Sequence, residues 1–85
     1  MSTEELIGEV THYFSHVSAA VIKLTQALSQ GETIHFKGHS TDFTQQVTSM
    51  QFDRKPVTSA ESGQDVGIQI TARVRTGDKV FRVSA

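Results

Sequence analysis

Short runs of alternating apolar and polar residues recur along this chain, separated by turn residues. The clearest run covers residues 19–25, where Ala20, Ile22 and Leu24 stand at every second position. A period of two is typical of a strand with one buried face. Strands at this spacing along a chain predict an all-β sandwich or barrel. We expect six strands, over residues 7–14, 19–25, 33–37, 43–52, 65–70 and 79–83.

The fourth of these runs changes phase partway along. Phe43 and Val47 share one parity, whereas Met50 and Phe52 share the other. One extra residue between Val47 and Met50 would restore a single inward face. We therefore predict a β-bulge there, which would also bend the strand as a small barrel requires.

One segment also fits a helix. Apolar residues from Val17 to Leu28 follow the spacing i, i+3, i+4, i+7 and i+11, which is helical. Gly31 would end such a helix. Against it, the adjacent Val21 and Ile22 are β-branched and stiff in a helix. The pattern alone leaves helix and strand open.

Three turns share one pattern, in which an aliphatic residue follows a glycine by three positions. Glycine supplies the positive φ that a tight turn needs. The residue after the glycine is acidic or is followed by an acidic one, and a predicted strand starts there. The three segments are Gly31–Ile34, Gly63–Val66 and Gly77–Val80.

The predicted domain is a single barrel over residues 7–84. Residues 1–6 are polar and have no apolar partner before Leu6, so we predict a flexible N-terminal lead there. The inward positions of the strands give the predicted core. Its members are Val10, Phe14, Ile22, Leu24, Leu28, Ile34, Phe36, Val47, Met50, Val66, Ile68 and Ile70.

Composition narrows the class of protein. The 85 residues include 8 Lys and Arg, 9 Asp and Glu and no cysteine, with a formal charge of −1. This excludes a strongly basic nucleic-acid-coating protein, a disulfide scaffold and a cysteine-based zinc site. The chain has no run of about 18 apolar residues for a membrane span, and its acidic start has no signal-peptide pattern. We expect a cytoplasmic protein.

The histidines and serines give no strong catalytic or metal-binding motif. His12 and His16, like His35 and His39, are four residues apart. That spacing binds metal on a helix, but here strands and turns are predicted. The turn over residues 38–42 holds His, Ser and Asp together, where local backbone hydrogen bonding is the usual role. We expect no catalytic residue, no metal and no cofactor.

Basic residues give the one candidate binding surface. They lie in two predicted loops and the last strand, and a shared barrel rim would suit RNA phosphates. Tyr13 and Phe81, if exposed, would stack bases. The alternative is a solvated face or a protein-binding face. The six residues are Arg54, Lys55, Arg73, Arg75, Lys79 and Arg82.

Five motifs follow one another in a recognisable order. They are Ile7–Thr11, Leu28–Gly38, Val47–Gln51, Ala60–Ile68 and Gly77–Val80. The ordered set spans residues 7–83 and resembles the second domain of translational GTPases, the elongation-factor-Tu domain-two-like family. The resemblance implies a closed six-stranded antiparallel barrel of the Greek-key type, and with it a strand over residues 19–25.

The same resemblance sets the functional hypotheses. The chain has no Gly-x-x-x-x-Gly-Lys-Ser/Thr loop to bind a nucleotide, so the family implies a non-enzymatic, translation-factor-like module that binds tRNA, rRNA or a ribonucleoprotein. Similar barrels are appended to collagenase-like peptidase family proteins that modify RNA. The alternative is therefore a protein-interaction barrel that acts in trans with such an enzyme. Residues 15–19 are additional to the family pattern, and we interpret them as a different partner surface.

Overall fold

The structure is a computed structural model that describes residues 3–84. Those residues form ten strands, and none of them lies in a helix that could cross a membrane. The strands are β1 (Thr3–Phe14), β2 (Ala19–Leu24), β3 (Leu28–Ser29), β4 (Thr33–Lys37), β5 (Asp42–Gln46), β6 (Met50–Phe52), β7 (Lys55–Val57), β8 (Ser59–Ala60), β9 (Asp65–Gln69) and β10 (Lys79–Ser84).

The predicted all-β class is confirmed, but the strand pairing differs from a closed six-stranded barrel. Eight strands form one antiparallel sheet in the order β5-β4-β10-β1-β2-β9-β6-β7, and β3 pairs with β8. Residues 47–49 alone link β5 at one end of this order to β6 near the other. Four residue steps reach at most about 14 Å, so the sheet curls until its ends approach. Within residues 3–84, however, no strand ladder joins those ends.

One side chain spans the gap in the curled sheet. The Gln45 Nε2 of β5 donates to the Gln69 carbonyl at 2.9 Å, and Gln45 Oε1 accepts from the Thr71 N–H at 2.8 Å. A primary amide donates and accepts at once. Gln45 therefore connects β5 to the end of β9 by two side-chain hydrogen bonds to backbone groups, where no strand pairing exists among the described residues.

The β-bulge predicted within residues 43–52 is wrong. β5 pairs with β4, whereas β6 pairs with β7 and β9. The change of phase between Val47 and Met50 marks a crossing from one strand partner to another. Register shifts occur in β1 instead, between Leu6 and Gly8 and between Val10 and His12.

The second shift in β1 explains the one error in the predicted core. Every predicted core residue is buried except Phe14, which is 42% exposed. Beyond the shift, Tyr13 pairs with the buried Ala20 and packs against the core, so its neighbour Phe14 points outward. Buried residues missed by the prediction include Ile7, Ala60, Val74 and Val80.

Residues 3–6 differ from the predicted flexible lead. They extend β1 and pair with β10, from Thr3 opposite Ser84 to Leu6 opposite Phe81. Although these residues are mostly polar, an ion pair between Glu5 and Arg82 across the two strands stabilises their pairing. Met1 and Ser2, the rest of that lead, lie outside the described residues.

The three glycine turns are confirmed, and they share more than the sequence indicates. Gly31, Gly63 and Gly77 have φ of 95°, 90° and 96°, the left-handed conformation of the third residue in a type II turn. In each turn the side chain after the glycine accepts from the backbone N–H three residues earlier, at 2.8 to 2.9 Å. These pairs are Glu32 with Ser29, Gln64 with Glu61, and Asp78 with Arg75.

Each glycine turn is also attached to the core by two backbone hydrogen bonds. The glycine N–H donates to the carbonyl of a buried aliphatic residue at 2.8 Å, and the N–H of that aliphatic residue donates to the carbonyl after the glycine at 2.8 to 2.9 Å. The turns therefore position strand starts by tertiary contact. The partners are Val47 for Gly31, Leu24 for Gly63 and Val10 for Gly77.

Candidate interaction surface

Arg82, one of the six predicted RNA-binding residues, is committed to contacts within the fold. Its Nη1 donates to Glu5 Oε1 at 3.2 Å, and its Nη2 donates to the Ala27 carbonyl. Its Nε lies 3.5 Å from Glu32 Oε1 without hydrogen-bond geometry. The side chain is 23% exposed. A guanidinium that contacts three separate segments, with its charge next to Glu5 and Glu32, serves the fold.

The other predicted residues are not brought together with Arg82. Lys79 pairs with Glu9 across the strands. It lies three positions from Arg82 on β10, so the two side chains point to opposite faces. Arg54 and Lys55 lie at the β6–β7 hairpin, while Arg73 and Arg75 are exposed between β9 and β10. RNA binding by the six residues stays a prediction.

A depression lies on the outer face of the sheet where β2, β9 and β6 run side by side. Val21 is in register with Gly67, and Gly67 with Gln51. Their neighbours in the chain point into the core, so these side chains point outward. Gly67 has no side chain, and a Cβ built there meets only Gln51, at 3.8 Å or more. The floor of the depression, with Ala19 and Val21 beside Gly67, is therefore low.

The β1–β2 hairpin forms an apolar wall of this depression. Phe14 is 42% exposed and Val17 is 53% exposed. Cavities of about 390 and 350 Å³ lie beside Val17, and they share Ala19, Gln51 and Gly67. We call this combined feature the Gly67 depression. It is lined by Phe14, Val17, Ala19, Val21, Gln51, Asp53, Arg54, Asp65 and Gly67, with Ala20, Ser49, Ile68 and Gln69 at its margins.

Two histidines hold the Phe14 ring in place. The His12 and Phe14 rings stack with centroids 6.2 Å apart and 7° between planes, and His16 meets Phe14 edge-on at 6.5 Å. Offset stacked and edge-to-face pairs are favourable ring arrangements. The exposed phenyl ring is thus part of the wall, although sequence parity predicts it in the core.

Non-glycine residues with positive φ lie in the two hairpin turns beside this depression. Ser18, Asp53 and Arg54 have φ of 52°, 54° and 63°, and they are the only non-glycine residues with positive φ within residues 3–84. Such conformations cost about 1–2 kcal/mol each for residues with a Cβ. Asp53 and Arg54 line the depression, and Ser18 lies between Val17 and Ala19, which also line it. Asp53 and Arg54 form the two-residue loop between the paired Phe52 and Lys55, where positive φ at both positions is the usual hairpin geometry.

A second concavity is larger and chemically different. It has a volume of about 760 Å³ and is lined by residues 48–51, residues 56–59 and Gln30. Gln30 joins its two sides, since its Nε2 donates to the Thr48 carbonyl at 2.6 Å and its N–H donates to the Thr58 carbonyl at 2.8 Å. Its lining carries hydroxyl and amide groups and no charged side chain. It offers hydrogen bonds beside apolar groups from Met50, Pro56 and Val57.

His35 lies between two carboxylates on the outer face of β4, which is four strands away from β9 in the sheet order. Its Nδ1 is 2.8 Å from Glu4 Oε2 and its Nε2 is 2.5 Å from Asp42 Oδ1. The hydrogen bond to Asp42 raises the pKa of His35 above 6.5, burial opposes this, and Glu4 raises it further. Both ring nitrogens can donate only when the ring is protonated. In the described part of the chain, no three His, Asp or Glu residues are arranged to hold a metal ion.

Comparison with known proteins places this fold beside a domain of the U32 peptidases. No protein-family model matches the chain. A Methanocaldococcus jannaschii protein named an uncharacterized protease is 38% identical over 76 residues, which are 88% of this chain and 19% of that protein. The chain thus spans about one fifth of the length of that relative.

Two crystal structures share the fold. Both are of the C-terminal domain of a Geobacillus thermoleovorans protein assigned to the U32 peptidases, one being its selenomethionine variant. The TM-scores are 0.86 and 0.85, at 17% and 18% identity. The matches cover 92% and 89% of this chain and 91% and 96% of those chains. This chain therefore shares the fold of that C-terminal domain.

These findings correct one functional prediction. The matched domains belong to U32 peptidases and not to elongation factors, so the prediction of a translation protein of the elongation-factor kind is wrong. The motifs behind it are mainly glycine turns and aliphatic strand starts. The structure shows that these residues build the fold, and a fold alone does not carry a function.

Proposed function

We propose that this protein is a non-catalytic accessory module that works with a larger U32-peptidase-like polypeptide. The proposal rests on the match between this chain and about one fifth of a much longer relative, which is named a protease. A segment that recurs as a separate domain has its own core and reaches other domains through its surface. Four fifths of the relative's length lie outside the match, and we assign any catalytic residues to that part.

The side chains of the described residues support a non-catalytic role. A nucleophile needs a base within hydrogen-bond reach, and that base needs a third group to orient it. Both nitrogens of His35 are bonded to carboxylates. His12 Nδ1 lies 3.3 Å from Thr11 Oγ1, and no carboxylate among residues 3–84 contacts that ring. The cysteine-free composition fits action in the reducing cytoplasm.

Direct binding tests the proposal. The partner is the Methanocaldococcus jannaschii relative with its matching segment deleted, used after a cooperative thermal transition shows that it is folded. Calorimetric titration with the 85-residue chain is expected to show saturable binding at one site. A titration with tRNA at several salt concentrations runs in parallel. Absence of binding to the larger polypeptide, together with tRNA binding that weakens steeply with salt, would contradict the proposal and favour RNA.

A further inference from the structure

We propose that the Gly67 depression is the surface on which the larger polypeptide docks, and that the partner inserts an apolar side chain over Gly67. The inference rests on the proposed function and adds the place and chemistry of the contact. Its evidence is the coincidence of a low floor, an exposed apolar wall and a mixed-charge rim on one face of the sheet.

The floor has room for a side chain from outside. Gly67 lies between Val21 and Gln51 in the sheet, and the nearest atom to a Cβ built on it is 3.8 Å away. A β-branched residue would be the ordinary choice at such a strand position. Gly67 is also outside the left-handed region of φ, so backbone conformation does not require glycine there. The absent side chain leaves space that an inserted apolar group fills.

The wall supplies the driving force for binding. Phe14 and Val17 are two of the four large apolar residues that remain exposed within residues 3–84, and both line this depression. Their burial on docking releases apolar surface from water. Rigid aromatic rings in a pocket are typical of interface centres, where a few residues carry most of the binding energy.

The charges at the rim favour a protein over a polyanion. Arg54 is accompanied by Asp53 and Asp65 along the same lining. Two carboxylates beside one guanidinium repel phosphates, whereas a polar rim around an apolar centre is the usual composition of a protein interface. The larger concavity beside Gln30 has no aromatic and no charged side chain in its lining, so we place docking at Gly67.

The occupant follows from the extent of the match. In the Methanocaldococcus jannaschii relative, four fifths of the polypeptide lie outside the region that this chain matches. A domain attached to so much additional chain needs a contact surface for it. The partner is therefore the larger polypeptide, and a second copy of this chain is an outcome for the experiment to exclude.

The test uses NMR of the isotope-labelled 85-residue chain to map where it binds its partner. The partner is again the Methanocaldococcus jannaschii relative from which the matching segment has been deleted. Amide signals of the Gly67 depression are expected to broaden or shift before those of β4 and β5. Gly67→Val fills the floor at a position where a Cβ has room, and Phe14→Ser shortens the wall without touching the core. Each should weaken binding by about tenfold or more. Thr44→Val, a β-branched substitution on the exposed side of β5, is the matched control and should change binding less than twofold.

The outcomes separate this inference from the proposed function. If all variants bind the larger polypeptide as tightly as the unmodified chain, the docking surface lies elsewhere and only this inference fails. If the unmodified chain does not bind at all, the proposed function fails with it. Concentration-dependent broadening at Gly67 without the partner would show that a second copy occupies the depression, and would also overturn the inference. Thermal unfolding of each variant confirms that it is folded.

Discussion

The Gly31 N–H donates to the Val47 carbonyl at 2.8 Å, and the Val47 N–H donates to the Glu32 carbonyl at 2.9 Å. This pair holds the turn before β4 against the segment that crosses the open end of the curled sheet. The same two-bond contact recurs at Gly63 and Gly77. Each of the three short turns thus holds the start of a strand against a buried residue, and the three lie in different parts of the sheet.

Replacing a turn glycine should destabilise the protein through the backbone alone. Gly77 has φ of 96° and no atom within 4 Å of a built Cβ, so Gly77→Ala introduces no clash. The left-handed conformation should still cost about 1–2 kcal/mol of unfolding free energy, measured by urea denaturation. Gly67→Ala is the control, because it has space and no positive φ. Equal effects of the two substitutions would contradict the role of the turn.

Arg82 should matter for stability, whereas Arg73 should not. Arg82→Ala removes a guanidinium that contacts Glu5, Glu32 and the Ala27 carbonyl. Loss of charge-assisted hydrogen bonds at a mostly buried site should cost about 1–3 kcal/mol. Arg73→Ala, at an exposed position, should stay within about 0.5 kcal/mol. Chemical denaturation of both variants measures the difference, and a neutral Arg82→Ala would show that its contacts do not hold the fold together.

The ion cluster around His35 should make stability depend on pH. The pKa of His35 is raised above 6.5, chiefly by its hydrogen bond to Asp42 and further by Glu4. Because the folded pKa exceeds the unfolded one, the stabilisation is complete below about 6.5. It is lost as pH rises through the folded pKa. The thermal midpoint of the unmodified protein, relative to His35→Gln, should therefore fall as pH rises above 6.5.

Asp42→Asn provides the matched control for the pH dependence. Removing the carboxylate removes the largest cause of the raised pKa, so the fall in thermal midpoint should move to lower pH. Proton NMR of the His35 ring measures the pKa directly in both proteins. An unchanged titration in Asp42→Asn would mean that the 2.5 Å contact does not govern the histidine.

Gln45 should contribute to closing the curled sheet. Gln45→Ala removes the donor to Gln69 and the acceptor for the Thr71 N–H. We expect a loss of about 1 kcal/mol and faster hydrogen exchange at the Thr71 amide. Thr44→Ala, next to Gln45 on the exposed side of β5, is the control. Unchanged exchange at Thr71 would show that the bridge is not formed in solution.

The sequence determined the features that depend on neighbouring residues. Alternation over residues 19–25, taken with the family resemblance, favours a strand over the helix that the same segment also fits, and β2 forms there with Ala20, Ile22 and Leu24 inward. The glycine pattern predicts positive φ at Gly31 and its two equivalents. The alternation of side chains along a strand and the positive φ of glycine depend only on nearby residues, so they can be predicted from the sequence.

Only the tertiary structure decided the features that depend on strand partners. Parity places Phe14 in the core, but a register shift against β2 turns it outward. The same parity reasoning makes residues 43–52 one bulged strand, whereas the chain crosses between sheet ends. The Gly67 depression and the ion pairs of Arg82 join residues far apart in sequence. Which strands become neighbours is set by the packing of the whole curled sheet around one core, and no local pattern records that choice.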